Sequence, residues 1–338
     1  MLTRRIGPFH VAPIAMGCMN FNHAYGKPPT PGQAERLLLQ ALEAGVTLFD
    51  TAALYGFGAN EALVGRVLKP HRGRIVLCSK GGMAGEPQAD GSLQRVIDGR
   101  PAAIRRHCEA SLQRLQTDHI DLYYLHRWDK KVPIEESVGA MVDLQREGKI
   151  GALGLSEVSA ATLRRARAVH EIAAVQSEYS PWTRNPEIAV LRACAEEGTA
   201  FVAFSPLARG FLTASPPDPA QLEPQDLRRT MPRFEPAAHA ANLALWHDFA
   251  GLAQQAGITP AQLSLAWVLS KGEQVIALPG TTDEQHLQEN LAAGALRLSP
   301  AWLAQVDALL PPARVAGARY SPAAQADVDT EEFAPPAS

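Results

Sequence analysis

The sequence predicts an α/β protein built as a single (β/α)8 barrel, also called a TIM barrel. Short apolar runs alternate with stretches of helical period along most of the chain, and such alternation implies parallel strands joined by crossover helices. An open doubly wound sheet would fit the same alternation. Two observations favour the closed barrel: there are eight apolar runs, and the residues after the first run, GCMNFNHAYG, lack the GxGxxG fingerprint of a dinucleotide-binding sheet.

The predicted strands are apolar or β-branched runs that end abruptly in glycine or polar residues. They cover residues 11–17, 46–50, 74–80, 120–126, 150–156, 173–176, 201–205 and 274–278. The stretches between them repeat apolar side chains three and four positions apart, as on one face of a helix, at 33–44, 101–115, 134–142 and 188–195. Pro101 opens the second of these helices, and Gly45, Gly148 and Gly198 mark helix ends just before the next strand.

The length of 338 residues suggests about two domains, but the strand–helix alternation shows no boundary. We therefore expect one barrel over residues 1–310, with an N-terminal β-hairpin, and a C-terminal tail over 311–338 that is partly ordered near the barrel mouth. The last few residues of the tail are predicted to be disordered. Residues 206–241 form a second irregular segment, rich in proline, and long loops of this kind are usually functional or disordered.

Composition and charge exclude several classes of protein. The net charge of −3 argues against general binding of nucleic acid or of membrane surfaces. No apolar run approaches the roughly 20 residues of a spanning helix, and no signal-peptide pattern is seen. Cys18, Cys78, Cys108 and Cys194 lie far apart without a CxxC pair, so we expect buried free thiols, no metal site and a cytoplasmic location.

Four polar residues fall at or just after the ends of three consecutive predicted strands, where barrel enzymes carry their catalytic groups. They are Asp50, Tyr55, Lys80 and His126. An ammonium beside a tyrosine hydroxyl lowers the pKa of that hydroxyl, an aspartate keeps the lysine charged, and a neutral histidine can hydrogen-bond a carbonyl oxygen. The set suits protonation of the oxyanion that forms when hydride reaches a carbonyl carbon.

Each of these residues also has an ordinary explanation. Lys80 would serve as an ion-pair partner of Asp50, His126 as a buried hydrogen-bonded histidine, and Tyr55 as a packing aromatic residue. Lys80 would also suit the Schiff-base lysine of an aldolase on the same barrel. The occurrence of all four together favours the reductive interpretation.

Four motifs surround these residues: FDTAALYG at 49–56, VLCSKGG at 76–82, IDLYYLHRWD at 120–129 and REGKIGALGLSE at 146–157. Together they resemble the aldo-keto reductase superfamily of NAD(P)(H)-dependent oxidoreductases, and the resemblance spans about residues 2–332. It implies that Tyr55 is the general acid/base, that Lys80 and Asp50 lower its pKa, and that His126 orients an aldehyde, a ketone or the matching alcohol. Some members of this superfamily are cofactor-binding regulatory modules with little turnover, and that alternative stays open.

The resemblance also implies an extended nicotinamide dinucleotide. Ser156 and Gln176 match positions that bond the carboxamide, Phe204 matches an aromatic ring on the nicotinamide, and Glu157 replaces an Asn that is common after the serine. The other implied cofactor contacts are Gly17, Cys18, Met19, Asp50, Ser205, Pro206, Leu207, Ala208, Gly210, Leu212, Arg228, Arg229, Gly280, Thr282, Asp283, His286, Glu289 and Asn290. Arg228 and Arg229 would either let their loop fold over the phosphates of the cofactor or form a solvated basic patch.

The segment LPGTTDEQHLQEN at 278–290 departs from the usual form of the family. Thr282, Asp283 and His286 stand where family members often carry basic residues that hold the 2′-phosphate of NADPH. An acidic side chain repels a phosphate but accepts a hydrogen bond from a ribose hydroxyl. The family implies NADPH/NADP, and the replacements predict weaker discrimination with use of NAD(H).

On the substrate side, Phe21, Trp128 and Trp182 are expected to line an apolar pocket with Tyr55 and His126, although each would also fit simple packing. Tyr25 is a further candidate, and the segment of Arg319 and Tyr320 resembles a family segment near the open end of the barrel. The expected partner is a small carbonyl or alcohol substrate, with no nucleic acid and no membrane, and the protein would be a monomer or a homo-oligomer.

Overall fold

The computed structural model describes residues 3–22 and 24–333 and has eight parallel strands at its centre. The strands are β1 (Arg4–Ile6), β2 (Phe9–Val11), β3 (Met16–Gly17), β4 (Leu48–Asp50), β5 (Val76–Gly81), β6 (Met83–Pro87), β7 (Leu93–Ile97), β8 (Ile120–Leu125), β9 (Ile150–Ser156), β10 (Ala174–Glu178), β11 (Ala200–Phe204) and β12 (Val275–Leu278). The helices are α1 (Pro31–Glu43), α2 (Ala59–Leu68), α3 (Pro101–Leu115), α4 (Ile134–Arg146), α5 (Ala160–Arg167), α6 (Val190–Glu196), α7 (Pro236–Gln255), α8 (Pro260–Leu269), α9 (Glu284–Ala292), α10 (Pro300–Leu309) and α11 (Pro322–Ala326). The parallel sheet runs β12-β11-β10-β9-β8-β5-β4-β3 with helices between its strands, which confirms the predicted (β/α)8 architecture.

The barrel closes between its first and last strands through backbone contacts. Ile14 forms a bridge with Ala277, and the N–H of Gly17 donates to the carbonyl of Pro279 at 2.9 Å. A Cβ at Gly17 would lie 3.3 Å from that carbonyl oxygen, so the strands approach too closely for a larger residue to fit without adjustment.

The predicted strand at 11–17 is divided in the structure. Val11 ends β2, which pairs antiparallel with β1, whereas the barrel strand β3 contains only Met16 and Gly17. Pro13 lies between the two strands, and because proline has no N–H it interrupts a hydrogen-bond ladder. The β1–β2 hairpin is the expected N-terminal hairpin, and it packs with Ile6 and Val11 into the interior core of the barrel.

The other seven predicted strands match β4, β5 and β8 to β12, with ends shifted by at most one or two residues. The predicted helix ends at Gly45, Gly148 and Gly198 are confirmed by their backbone φ angles of +94°, +75° and +66°. Only glycine adopts this left-handed conformation without a steric penalty, which explains its place after a helix.

A second hairpin, β6–β7, lies in the connection between β5 and α3 and was not anticipated from the sequence. Its two strands pair antiparallel from Met83 with Ile97 to Pro87 with Leu93. Asp90 and Gly91 form its turn, with φ of +80° at the glycine. An Asp-Gly pair is a common hairpin signal, so the turn was visible in the sequence.

The irregular segment predicted at 206–241 ends earlier, because α7 begins at Pro236. The tail then crosses the mouth of the barrel, and the Nζ of Lys130 donates to the carbonyls of Ala326 and Val328 at 2.9 and 2.7 Å. The predicted disorder falls on residues 334–338, which lie outside the described residues, as do Met1, Leu2 and His23. None of the described helices combines the length and apolar character needed to cross a bilayer.

Candidate active site

A cleft of about 560 Å³ opens at the carboxyl ends of the barrel strands. Strand ends, the segment after β11, the start of α9 and the tail form its walls. The expected site residues that line it are Gly17, Met19, Asp50, Tyr55, His126, Ser156, Gln176, Phe204, Ser205, Pro206, Leu207, Gly210, Arg228, Gly280, Thr282, His286, Glu289 and Asn290. The structure therefore brings most of the expected site residues to one cavity.

Lys80 lies beneath the floor of the cleft, fully buried at the end of β5. Its ammonium donates to the Oδ1 of Asp50 at the end of β4, to the carbonyl of Thr51 at 3.0 Å and to the hydroxyl of Tyr55 at 3.3 Å. Three acceptors match the three protons of an ammonium. The arrangement holds a charged lysine directly against the tyrosine hydroxyl.

The protonation states of Tyr55 and Lys80 depend on burial as much as on neighbouring charges. Burial raises the pKa of Tyr55, and the opposing charge of Lys80 lowers it by less. Burial alone would lower the pKa of Lys80, but Asp50 and Tyr55 outweigh that effect and the pKa is raised. Lys80 therefore lowers the pKa of Tyr55, as expected. The net change in that pKa is nevertheless upward, so Tyr55 holds its proton at neutral pH.

His126 lies beside Tyr55 at the end of β8. The two rings meet edge to face with centroids 5.8 Å apart. The backbone N–H of His126 donates to the carbonyl of Gly81 at 2.8 Å, and its side chain is largely buried. The floor of the cleft thus presents two hydrogen-bonding side chains next to each other.

Ser156, the last residue of β9, and Gln176, in the middle of β10, form the wall next to Asp50. The amide of Gln176 donates to the Oδ2 of Asp50 at 2.9 Å, and the Oγ of Ser156 accepts from the Nη1 of Arg127 at 3.1 Å. Asp50 is therefore held by Lys80 on one oxygen and by Gln176 on the other.

The segment after β11 has an unusual backbone. Ser205, Ala208 and Arg209 have φ angles of +48°, +50° and +58°, a region that costs L-residues roughly 1–2 kcal/mol each. Arg209 is held in place by Glu178 at 2.6 Å, and by the hydroxyls of Tyr25 at 2.8 Å and Tyr320 at 2.9 Å. Strain that persists against such a cost often accompanies a binding function.

At the far end of the cleft, Thr282 and His286 lie at the start of α9. The side chain of Asp283 accepts from the N–H of His286 at 2.9 Å and so caps this helix. Arg228, in the irregular segment that follows β11, also lines the cleft and forms an ion pair with Asp226 at 2.7 Å. Both arginines of the segment 206–241 that line the described cleft, Arg209 and Arg228, are therefore already partnered by carboxylates.

Comparison with known proteins decides the family. The Aldo/keto reductase family model matches residues 13–311. The chain belongs to the aldo/keto reductase family. It is 40% identical over 327 residues to the aldo-keto reductase yakc (NADP(+)) of Schizosaccharomyces pombe, with 95% of each chain covered.

Two solved structures support the same assignment. The glycerol dehydrogenase AKR11B4 from Gluconobacter oxydans has a TM-score of 0.83 and 29% identity, and the match covers 95% of this chain and 98% of that one. An aldo/keto reductase from Klebsiella pneumoniae in complex with NADP and acetate has a TM-score of 0.71 and 30% identity, covering 94% of this chain and 98% of that one. The protein is thus an NAD(P)-dependent oxidoreductase.

Several expected site residues of this aldo/keto reductase do not line the cleft. They are Cys18, Phe21, Trp128, Glu157, Ala208, Leu212, Trp182, Arg229 and Asp283. Trp182 stacks on Phe211 in the core at 4.9 Å, and the indole of Trp128 donates to the carbonyl of Val132 at 2.8 Å. Trp128, Trp182 and Phe21, which is buried in the core between barrel and helices, are therefore packing residues, whereas Tyr25 does line the cleft.

Glu157 was expected to contact the cofactor, but its environment shows a different role. Its carboxylate is fully buried, pairs with the guanidinium of Arg319 and accepts from the N–H of Glu178 at 2.8 Å. Because Arg319 belongs to the tail, this ion pair attaches the tail to the end of β9. Glu157 therefore anchors the tail and does not face the cavity.

The cleft also contains residues that sequence reasoning did not identify. They are Leu54, Phe57, Met83, Arg95, Arg127 and Arg209, and Ala324, Asp327 and Val328 of the tail. Arg95 pairs with Asp327 at 2.7 Å and so joins the β6–β7 hairpin to the tail. No sequence pattern marks these three tail residues, whereas Arg127 directly follows His126 and lies within the motif IDLYYLHRWD at 120–129.

Proposed function

We propose that this aldo/keto reductase transfers hydride between a nicotinamide dinucleotide and an aldehyde or ketone, or the matching alcohol, with Tyr55 as general acid/base. The observation that carries the proposal is the buried Lys80 ammonium, shared by Asp50 and the hydroxyl of Tyr55 at the floor of the cleft. The cofactor supplies hydride chemistry when bound. All proton handling falls to the residues of the chain.

In the reductive direction, Tyr55 donates its proton to the carbonyl oxygen as negative charge develops there. Lys80 stabilises the resulting phenolate, and Asp50 with Gln176 keeps the lysine in position. His126 hydrogen-bonds the carbonyl oxygen and fixes the direction of the substrate. The raised pKa of Lys80 argues against an aldolase, because a Schiff base requires a neutral, available amine.

The residues present fit an extended dinucleotide. Gly17 and Gly280 line the cleft without side chains, and their backbones lie so close together that a Cβ on Gly280 would be 3.0 Å from the carbonyl oxygen of Gly17. Asn290 lines the cleft, and its Oδ1 is buried without a hydrogen-bond partner in the described chain. An unsatisfied buried acceptor is costly, and the exocyclic amine of an adenine would satisfy it. Ser156 and Gln176 would hold the nicotinamide end.

A screen of carbonyl compounds tests the function. Aldehydes and ketones are offered with NADH and NADPH, and alcohols with NAD and NADP, while the absorbance of the reduced nicotinamide is followed. We expect turnover of several small carbonyl compounds. Cofactor binding without consumption across the whole panel would instead support a regulatory module.

The four cysteines are free and buried, which is consistent with the reducing cytoplasm in which we place the enzyme.

We further propose that the enzyme uses NAD(H) as well as NADP(H). Arg228 is paired with Asp226, and the residues that line the cleft just before and at the start of α9, Thr281, Thr282 and His286, include no lysine or arginine. Dissociation constants for NADH and NADPH, measured by fluorescence titration, are expected to lie within about tenfold of each other. The substitution His286→Arg should tighten NADPH by roughly tenfold, as one charge-assisted hydrogen bond to a phosphate would.

The matched control is Gln288→Arg, which adds the same charge to an exposed position of α9 that does not line the cleft. It should leave both constants nearly unchanged. A wild-type preference for NADPH of 10²-fold or more would contradict the proposal, because it would require a phosphate contact that Thr282 and His286 do not supply.

A further inference from the structure

We propose that Arg127 is a substrate-recognition residue and that the enzyme prefers carbonyl compounds with a carboxylate next to the reacting carbon, that is, 2-oxo acids. The inference rests on the proposed function and names a substrate class for the same cleft. Four arginines line the cleft: Arg95, Arg127, Arg209 and Arg228.

Three of these four arginines are neutralised by carboxylates. Arg95 pairs with Asp327 at 2.7 Å, Arg209 with Glu178 at 2.6 Å and Arg228 with Asp226 at 2.7 Å. Arg127 has no ion pair within the part of the chain that the structure describes. It is half-buried, so its charge is less screened by water than that of a surface arginine.

The guanidinium of Arg127 is fixed by one nitrogen only. Its Nη1 donates to the carbonyl of His126 at 2.6 Å and to the Oγ of Ser156 at 3.1 Å. Its Nε and Nη2 make no hydrogen bond to a described residue and are not among the buried atoms without a partner. The Nε–Nη2 edge is therefore both oriented and accessible.

This edge is the one that the chain itself uses to bind carboxylates. Three arginine–carboxylate pairs share one bidentate geometry, in which Nε donates to one oxygen and Nη2 to the other at 2.6 to 2.9 Å. They are Arg100 with Asp98, Arg165 with Glu135, and Arg228 with Asp226. Such a two-point contact is the preferred geometry between guanidinium and carboxylate. Arg127 presents the same edge without a carboxylate of its own.

The position of Arg127 selects where the carboxylate must be on the substrate. It follows His126 directly and contacts Ser156, and its charge acts on Tyr55, whose pKa it lowers as a minor contribution beside burial. Tyr55 is the proton donor to the carbonyl oxygen, so the anionic group that Arg127 binds lies close to the reacting carbon. Reduction adds a hydride to the ketone carbon and the Tyr55 proton to its oxygen, giving a 2-hydroxy acid with the carboxylate unchanged.

The test compares phenylglyoxylate with its methyl ester, which has the same carbon skeleton next to the ketone but no charge. The wild-type enzyme is expected to have the lower KM for the acid. Arg127→Met should raise the ratio of the KM for the acid to the KM for the ester by roughly 10- to 100-fold, the range of a hydrogen-bonded charge pair, because any effect through the hydrogen bond to Ser156 falls on both substrates alike. Arg127→Lys should recover part of the loss, because it restores the charge without the two-point contact.

Arg146→Met is the control, since it removes the same charge from an exposed position on α4. It should leave both substrates unaffected. Equal effects of Arg127→Met on acid and ester, or a wild-type enzyme that reduces the ester but not the acid, would overturn the inference and leave the proposed function standing. Failure to reduce any carbonyl compound, in contrast, would refute the proposed function itself.

Discussion

Replacing Tyr55 with phenylalanine is expected to lower kcat for carbonyl reduction by about 10²- to 10⁴-fold, the usual contribution of a positioned general acid. The ring would still fill its buried site, so the fold and the cofactor contacts elsewhere in the cleft should be retained. Only the hydroxyl that Lys80 contacts at 3.3 Å is lost. Steady-state kinetics together with titration of the reduced cofactor measure both effects.

Tyr123→Phe is the matched control, because it removes a hydroxyl from another buried tyrosine that does not line the cleft. Its kcat should stay near that of the wild type. Loss of cofactor affinity along with turnover in Tyr55→Phe would show that Tyr55 has a structural role. The pH profile adds a second check: burial raises the pKa of Tyr55, so wild-type reduction should persist into the alkaline range and fall only as pH rises through that raised pKa.

Arg319→Met is expected to destabilise the protein by about 3–5 kcal/mol, the effect of leaving a buried charge without its partner. Arg319 is the guanidinium that compensates Glu157, and both side chains are almost fully buried. Among the described residues, the Glu157 carboxylate would then keep only the backbone N–H of Glu178 as a donor. The free energy of unfolding, measured by denaturant titration, reports the loss.

A second substitution separates charge from packing. Glu157→Gln in the Arg319→Met background removes the uncompensated charge and should recover a substantial part of the stability. Arg314→Met, at an exposed position of the same tail, is the control and should change stability by no more than about 0.5 kcal/mol. A loss below about 1 kcal/mol in Arg319→Met alone would show that the buried pair does not anchor the tail.

The central part of the site was predictable because the catalytic residues of barrel enzymes lie at the carboxyl ends of the strands. Asp50, Lys80 and His126 each stand at or next to the end of a predicted strand, and the structure brings them with Tyr55 to one floor. Their spacing follows from local patterns: a short apolar run, a sharp end and a polar residue. The strand order then brings residues that are distant in the chain together.

What could not be predicted depends on contacts between distant, irregular segments. The ion pair of Glu157 with Arg319 joins residues 162 positions apart, and nothing in either local sequence indicates that partner. Trp128 and Trp182 were expected in the pocket because aromatic residues commonly line ligand sites. Their orientation depends on neighbours such as Phe211, and sequence spacing does not determine it. The net pKa direction of Tyr55 likewise required the extent of burial.

The tail contributes to the substrate cleft but supplies none of the proton-transfer residues. Ala324, Asp327 and Val328 form part of the cleft wall, and the contacts that hold this stretch, such as the Arg95–Asp327 pair and the bonds from Lys130, do not involve the proton-transfer residues. The proton-transfer residues, in contrast, are built into the strands. Mutations at these three positions can therefore reshape the choice of substrate over evolutionary time and leave the reaction chemistry intact, as long as the Arg319–Glu157 pair that anchors the tail is kept.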